Sequence, residues 1–269
     1  MKAFWSMWEF DPGVIIPLAV SAFLYARGSR RERTLTLRQK ACFWSGWAML
    51  ALALVSPLHP LGEALFSAHM IQHEILMLAA APLLVLSRPL VTFLWGMPFE
   101  WRRTAGAWAK TPVVRKSWTF LTDPLTAWCI HAAAIWLWHV PFLFQLTLES
   151  ELAHTAQHLS FFLSALLFWW ALFYAHRRLA YGAAVFYVFT TAVHTSILGA
   201  LLTFSPHLWY PLYGATTQAW GLTPLEDQQL GGLVMWVPAG LVYLAAGLWL
   251  FAAWLRESDV VLERSRSAK

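Results

Sequence analysis

A five-residue pattern, His-x-x-Gln-His, occurs twice in apolar surroundings, at residues 69–73 and 154–158. Imidazoles four residues apart lie on one face of a helix, and a glutamine at the third step borders that face. Ionisable groups inside a membrane segment are costly and generally serve a function. The two patterns therefore predict a metal site that is divided between two helices.

The composition indicates an integral membrane protein. The chain has 269 residues, of which 59% are hydrophobic and 12% charged, with a mean hydropathy of +0.52; soluble domains carry about 25% charged residues. We therefore expect one transmembrane domain over residues 1–269, surrounded by the lipid bilayer. The net charge of +5 could suggest nucleic acid, but the basic residues lie in short loops between apolar segments. No nucleic-acid partner is expected.

Apolar segments of about 20 residues can cross a bilayer as helices, and the sequence contains seven candidates. The predicted fold is all-α, a polytopic membrane protein with seven transmembrane helices. The predicted spans cover approximately residues 10–26, 41–58, 65–86, 124–146, 152–175, 180–204 and 231–255. Residues 88–98 are apolar but too few to cross, so we expect an interfacial or re-entrant segment there.

The charges of the connecting loops predict the orientation. Eighteen of the nineteen Lys and Arg residues fall within residues 27–40, 87–123, 177–178 and 256–269. The alternate connections, residues 57–64, 147–151 and 205–230, contain no Lys or Arg. Because short cytoplasmic loops retain basic residues, we expect the N-terminus outside and the C-terminus inside.

This orientation places most of the histidines near the outer face. At 1.5 Å per residue, His69 and His73 lie roughly 6 and 12 Å below the outer end of span three. Two groups of ligands are predicted, a main set and a secondary set. The main set is His69, His73, His139 and His158, and the secondary set is His154, His59 and Met77.

Four polar residues are expected to orient or support these ligands, because metal-bound imidazoles usually hydrogen-bond to an outer partner. They are Gln72, Gln157, Asp227 and Gln228. Asp227 and Gln228, with the neighbouring Gln229, would orient or gate the outer mouth of the site. The alternative is that this triplet caps the N-terminus of span seven.

The ligand types favour copper. Imidazole suits Zn, Cu, Fe and Ni, whereas added thioether selects Cu(I). Met77 lies four residues beyond His73, Met70 is adjacent to His69, and Met235 lies in span seven. The predicted outer connections contain Glu and Asp but no Lys or Arg, a charge distribution that favours a cation.

The same histidines could in principle serve other chemistries. A membrane haem-binding redox or haem-handling protein is one alternative, but haem b is less favoured than copper, because its propionates usually pair with Arg or Lys and the outer connections have none. A zinc protease needs His-Glu-x-x-His, but Met77 stands where the second histidine would be, and we expect no enzyme. A copper or proton transporter is an alternative that would use the deeper His131 and His194. Taken singly, these two and His176 at the inner end of span five are interpreted as contacts between helices.

At these residues the chain resembles the multi-span CtaG family of cytochrome c oxidase (caa3-type) assembly factors. The segments that carry the resemblance follow one another through nearly the whole chain. They are Phe10-Asp11-Pro12, Ser56-Pro57-Leu58, His69-Met70-x-x-His73, Ala81-Pro82-Leu83-Leu84, Trp138-His139-x-Pro141, His158 with the aromatic run to Trp169-Trp170, and Pro224-Leu225-x-Asp227-Gln228-Gln229-Leu230-Gly231-Gly232-Leu233-x-Met235-Trp236.

The resemblance implies a function in the assembly of a haem–copper oxidase at the bacterial cytoplasmic (inner) membrane. It further implies that the protein helps copper to reach the oxidase, with oxidase subunits or a copper chaperone as partners. One departure is notable: Glu74 stands where the family often has methionine. This exchange removes a soft ligand and adds a carboxylate, so the oxidation state of the copper stays open.

Overall fold

The computed structural model describes residues 7–174 and 181–267, and side chains as far as residue 257. Every regular element in these ranges is helical. The α-helices are α1 Pro12–Ser29, α2 Leu37–Val55, α3 Leu58–Ala64, α4 Phe66–Glu74, α5 Ala81–Ser87, α6 Pro89–Gly96, α7 Phe99–Ala109, α8 Pro112–Leu121, α9 Pro124–Trp138, α10 Pro141–Glu149, α11 Glu151–Tyr174, α12 Tyr181–Thr203 and α13 Pro224–Ser267. A π-helical segment, Ile75–Ala80, joins α4 to α5, and two 3-10 helices, Pro211–Ala215 and Thr217–Trp220, precede α13.

Five helices in the described ranges are long and apolar enough to cross a membrane, or seven if each of two bent pairs counts as one span. The all-helical, multi-pass prediction is confirmed at this level. The bent pairs, α2 with α3 and α9 with α10, turn by 44° and 74°. They replace the straight spans predicted at 41–58 and 124–146. Both breaks precede a proline, which lacks an N–H and excludes its predecessor from helical geometry; accordingly, Ser56 and Val140 are extended.

The remaining boundaries differ from the predicted spans for local reasons. Helix α13 begins at Pro224 rather than near residue 231, because Thr223 and Glu226 form reciprocal capping hydrogen bonds there. The apolar segment 88–98 forms α6, which packs along α1. The basic stretch that follows it is mostly helical, as α7 and α8, and both helices lack buried residues. His176, predicted at the inner end of span five, lies outside the described residues.

Two connections without Lys or Arg, residues 57–64 and 205–223, meet at one end of the bundle, beside the C-terminal end of α9. The hydroxyl of Tyr213 donates to the carbonyl of Gly62 (2.9 Å), and that of Tyr210 donates to the carbonyl of His139 (2.9 Å). Thr216 donates in the same way to Ala64 (2.7 Å). Burial raises the pKa of the Tyr213 hydroxyl well above its usual value, so this group remains a donor. The connection 205–223 therefore closes over the helix ends that carry the candidate ligands.

The π-helical segment follows directly after the first histidine pair. The amide of Ala81 bonds to the carbonyl of Leu76, five residues back, so the carbonyl of Met77 has no partner within the helix. The indole Nε1–H of Trp169 donates to that carbonyl instead (2.8 Å). A wide turn of this kind shifts the phase of the helix and is common at functional sites. Here it decides which way the side chains after His73 face.

Candidate metal centre

Five histidines from three helices lie together, and we call them the histidine cluster: His59, His69, His73, His154 and His158. Neighbouring ring centroids are 4.3–6.0 Å apart. Two overlapping triads have ligand nitrogens within 4.8 Å of one another, His69 with His73 and His158, and His59 with His154 and His158. The i, i+4 spacing within α4 and α11 points each pair to one side of its helix, and the two helices present those sides to each other.

Four of the five histidines of the cluster have at least one buried ring nitrogen without a hydrogen-bond partner. The buried nitrogens without one are Nδ1 of His69, both ring nitrogens of His73, and Nε2 of His154 and of His158. Buried polar atoms are nearly always hydrogen-bonded in folded proteins, because an unmet one costs free energy. Neutral imidazole nitrogens with free lone pairs are metal ligands. These residues therefore fit a bound transition-metal ion.

The two motif glutamines hold imidazoles of the cluster. The Nε2–H of His69 donates to Oε1 of Gln157 (3.0 Å), which leaves the lone pair of His69 on Nδ1. Gln72 donates both to the carbonyl of Ala53 (2.8 Å) and to Nδ1 of His59 (3.0 Å). Each glutamine thus fixes a ring on another helix and sets which nitrogen carries the proton, as outer partners of metal ligands do.

Asp227 caps α4, the helix that carries His69 and His73. Its carboxylate is fully buried and accepts from the backbone amides of Phe66 (2.6 Å) and Ser67 (3.2 Å) and from the Ser67 hydroxyl (2.5 Å). Asp227 therefore caps a helix, as the alternative interpretation predicted, but the capped helix is α4. The N-terminus of α13 is capped by Thr223. A carboxylate at a helix N-terminus is stabilising because it faces the positive end of the helix dipole.

Gly231 permits this contact between α13 and α4. A Cβ atom at this position would lie 2.3 Å from Cδ1 of Phe66, which is far inside van der Waals contact. The missing side chain lets the N-terminal turns of the two helices approach closely. Asp227, one turn earlier, can consequently reach the first amides of α4.

Three predicted site residues lie elsewhere. His139 belongs to neither triad: its Nδ1–H donates to the carbonyl of Ile135 (2.6 Å), and with Met77 it lines a small separate cavity beside His73. Gln228 accepts from the amide of Trp209 (2.6 Å) and donates to the carbonyl of His207 (3.0 Å). Both of its amide atoms therefore hold the connection before α13 and are not directed at the cluster.

Two kinds of neighbour were missed by the sequence reasoning. Oε2 of Glu9 lies 3.6 Å from Nε2 of His59, at the most exposed member of the cluster. No sequence signal indicated this contact, because the two residues are 50 positions apart in different segments. Phe144 and Phe161 pack against the rings of His69 and His73, with centroids 5.2 and 4.6 Å apart. Phe161 could have been found, since it lies three residues after His158.

The deeper histidines have partners of their own. Nδ1 of His131 lies 2.9 Å from the hydroxyl of Ser164, and Nδ1 of His194 accepts from the indole of Trp136 (3.3 Å). These contacts agree with their interpretation as helix–helix interactions. They are separate from both triads.

The described chain is thus a multi-pass helical membrane protein that carries a buried cluster of imidazoles at one end of its bundle. A family model described as "Cytochrome c oxidase caa3 assembly factor (Caa3_CtaG)" matches residues 22–257. The chain belongs to this family, which the sequence resemblance had named. The description of this family refers to the assembly of cytochrome c oxidase.

Curated relatives extend the comparison. The chain is 27% identical over 270 residues to the uncharacterized protein Mb0105 of Mycobacterium bovis, covering 96% of this chain and 41% of the relative. It is 25% identical over 280 residues to the uncharacterized protein ML1998 of Mycobacterium leprae, covering 97% of this chain and 41% of the relative. The chain therefore spans about two-fifths of the length of these relatives. No solved structure matches it significantly.

Proposed function

We propose that the protein binds copper at the histidine cluster and supplies it to a haem–copper oxidase during assembly, at the outer side of the bacterial cytoplasmic membrane. The observation that carries the proposal is the pair of overlapping triads, whose buried ligand nitrogens lack partners. A metal ion bound by several of these imidazoles would accept their lone pairs and remove the free-energy cost of burying the nitrogens without partners. Family membership supports the oxidase as the proposed destination of the metal.

The arrangement of the rings supports a bare ion rather than haem. A porphyrin held by two of these histidines would have to enter between rings whose centroids are already 4.3–6.0 Å apart. A single ion needs no such space, because metal–imidazole bonds are about 2.0 Å long. Copper is favoured over zinc by the methionines beside His73, since thioether is a soft ligand.

The proposed outer location rests on charge. The connections that meet above the cluster contain no Lys or Arg, which is typical of segments exported across the membrane. Glu9 beside His59 adds a carboxylate where an ion would arrive. His59 accepts from Gln72 on Nδ1 and faces Glu9 with Nε2. We assign it the role of first ligand encountered from the membrane surface, which an arriving ion would engage by displacing the proton on Nε2.

The test uses a strain that lacks this gene. We expect its oxidase subunits to be inserted but inactive and depleted of copper. Expression of the wild-type gene should restore the copper content and the activity, whereas His69→Ala with His73→Ala should not. The matched control is His207→Ala, which removes an exposed imidazole from the connection above the cluster and should restore both.

Added copper separates delivery from scaffolding. If the protein delivers copper, a moderate excess in the medium should partly restore the deletion strain, because mass action replaces a carrier once free ligand exceeds the dissociation constant of the target. Copper in the oxidase of the deletion strain at the wild-type level would contradict the proposal. That result would favour the transporter alternative, in which His131 and His194 conduct copper or protons through the bundle.

A further inference from the structure

A small cavity beside His73 collects a second set of soft ligands. It has a volume of about 20 Å³ and lies between α4, the π-helical segment, α9, α12 and α13. Three of the seven methionines of the chain line it, Met70, Met77 and Met235, together with His73, Glu74 and His139. A space of this size holds one water-sized occupant.

Three polar side chains that line this cavity have buried atoms without partners in the protein. His139 is buried and its Nδ1–H donates to a backbone carbonyl, so its Nε2 carries the lone pair, and that atom is unpartnered. Both ring nitrogens of His73 and Oε2 of Glu74 are buried without partners as well. Nε2 of His139 can only accept, so the group that satisfies it must be a cation or a hydrogen-bond donor.

The thioethers of the three methionines favour a metal cation over a water molecule in this cavity. Methionine usually serves as a core residue, and a water molecule gains little from three thioethers, which are weak acceptors. Thioether and imidazole together are a donor set for Cu(I), and the carboxylate of Glu74 would compensate the charge of the ion in a low-dielectric environment. Met70, Met77 and Met235 are all at least nine-tenths buried.

We propose that this methionine cavity is a second metal site, selective for Cu(I), next to the histidine cluster. The inference rests on the proposed copper function and deepens it. His73 belongs both to a triad of the cluster and to the lining of the cavity, so copper can pass from one site to the other by exchanging ligands around a single imidazole. The protein would accept Cu(I) among imidazoles and retain it, in the same oxidation state, among thioethers.

The test measures copper bound by the detergent-purified protein after loading with Cu(I) under reducing conditions and removal of excess metal. We expect about two copper ions per chain and an X-ray absorption spectrum that shows sulfur as well as nitrogen scatterers. Met77→Leu with Met235→Leu should remove one ion and most of the sulfur scattering. Met49→Leu, the same exchange at a methionine outside the cavity, should leave both ions and the scattering unchanged.

The reciprocal variant separates this inference from the proposed function. His69→Ala with His158→Ala, which takes ligands from both triads and keeps His73, should remove the ion of the cluster and preserve the sulfur scattering. One copper per wild-type chain, bound by nitrogen alone, would overturn the second site and leave the proposed function intact. Sulfur scattering that persists in the Met77→Leu, Met235→Leu variant would overturn it too. No copper in the wild-type protein would overturn both.

Discussion

Replacing Asp227 by asparagine tests how the fold holds the first histidine pair. The carboxylate accepts three hydrogen bonds from the start of α4, with Oδ2 bound to the amide of Phe66 and Oδ1 to the amide and hydroxyl of Ser67. Asparagine has nearly the same volume but keeps only one acceptor oxygen. Its amino group would face groups that are themselves donors, so at least one of them loses its partner.

The size of the effect follows from these contacts. A buried donor left without a partner costs about 1–3 kcal/mol, and the interaction of a partly buried charge with the helix dipole contributes up to about 2 kcal/mol. We therefore expect Asp227→Asn to lower the free energy of unfolding by about 2–4 kcal/mol. His69 lies one turn from the capped residues, so part of this loss should also appear as weaker copper binding, tenfold for each 1.4 kcal/mol.

The assay is denaturation of the purified protein in detergent, followed by titration with copper. The control is Glu226→Gln, which alters the neighbouring acid; that acid bonds to Thr223 at the surface. It should change stability far less than Asp227→Asn and leave copper affinity unchanged. Equal unfolding midpoints for wild type and Asp227→Asn would refute the reasoning, because a buried cap with three donors cannot be lost without cost.

Two further changes test the orientation and the π-helical segment. In a background without the two native cysteines, cysteines introduced at Ser150 and Gln218 should react with an impermeant reagent on intact cells, and one at Ser29 only after permeabilisation; the reverse pattern would contradict the proposed outer location. Trp169→Phe removes the donor to the carbonyl of Met77 and should lower the unfolding free energy by about 1–3 kcal/mol, measured by the same denaturation; no change would mean that this carbonyl finds another donor.

The histidine cluster was predictable to the extent that it depends on local spacing. Residues four apart in a helix share a face whatever surrounds them, so the pairs within α4 and α11 needed no knowledge of the tertiary structure. The presence of glutamine within each pair also indicated hydrogen bonds between helices. What the sequence could not provide is the partner of each glutamine: Gln157 binds a ring 88 positions away, and such a distance leaves no periodic signal.

For Asp227, too, the type of interaction was predictable from the local sequence, but its partner was not. Its sequence context, directly before an apolar segment, is that of a helix cap, and capping was one of its two interpretations. The capped amides belong to Phe66 and Ser67, about 160 positions earlier. Only the packing of α13 against α4, which Gly231 permits, determines that the cap serves another helix.

The assignment of His139 and Met77 to the cluster rested on straight, regular helices, and both assumptions fail at these residues. Span four turns by 74° directly after His139, and Met77 lies within the π-helical segment, where the four-residue spacing from His73 no longer implies a shared face. As a result, the side chains of His139 and Met77 line one cavity beside His73. Both ring nitrogens of His73 lack hydrogen-bond partners. In a straight span three, His69, His73 and Met77 would share one face. The wide turn separates the imidazoles of the cluster from the thioether of Met77, with His73 beside both, and this is the arrangement that the two proposed copper sites of different softness need.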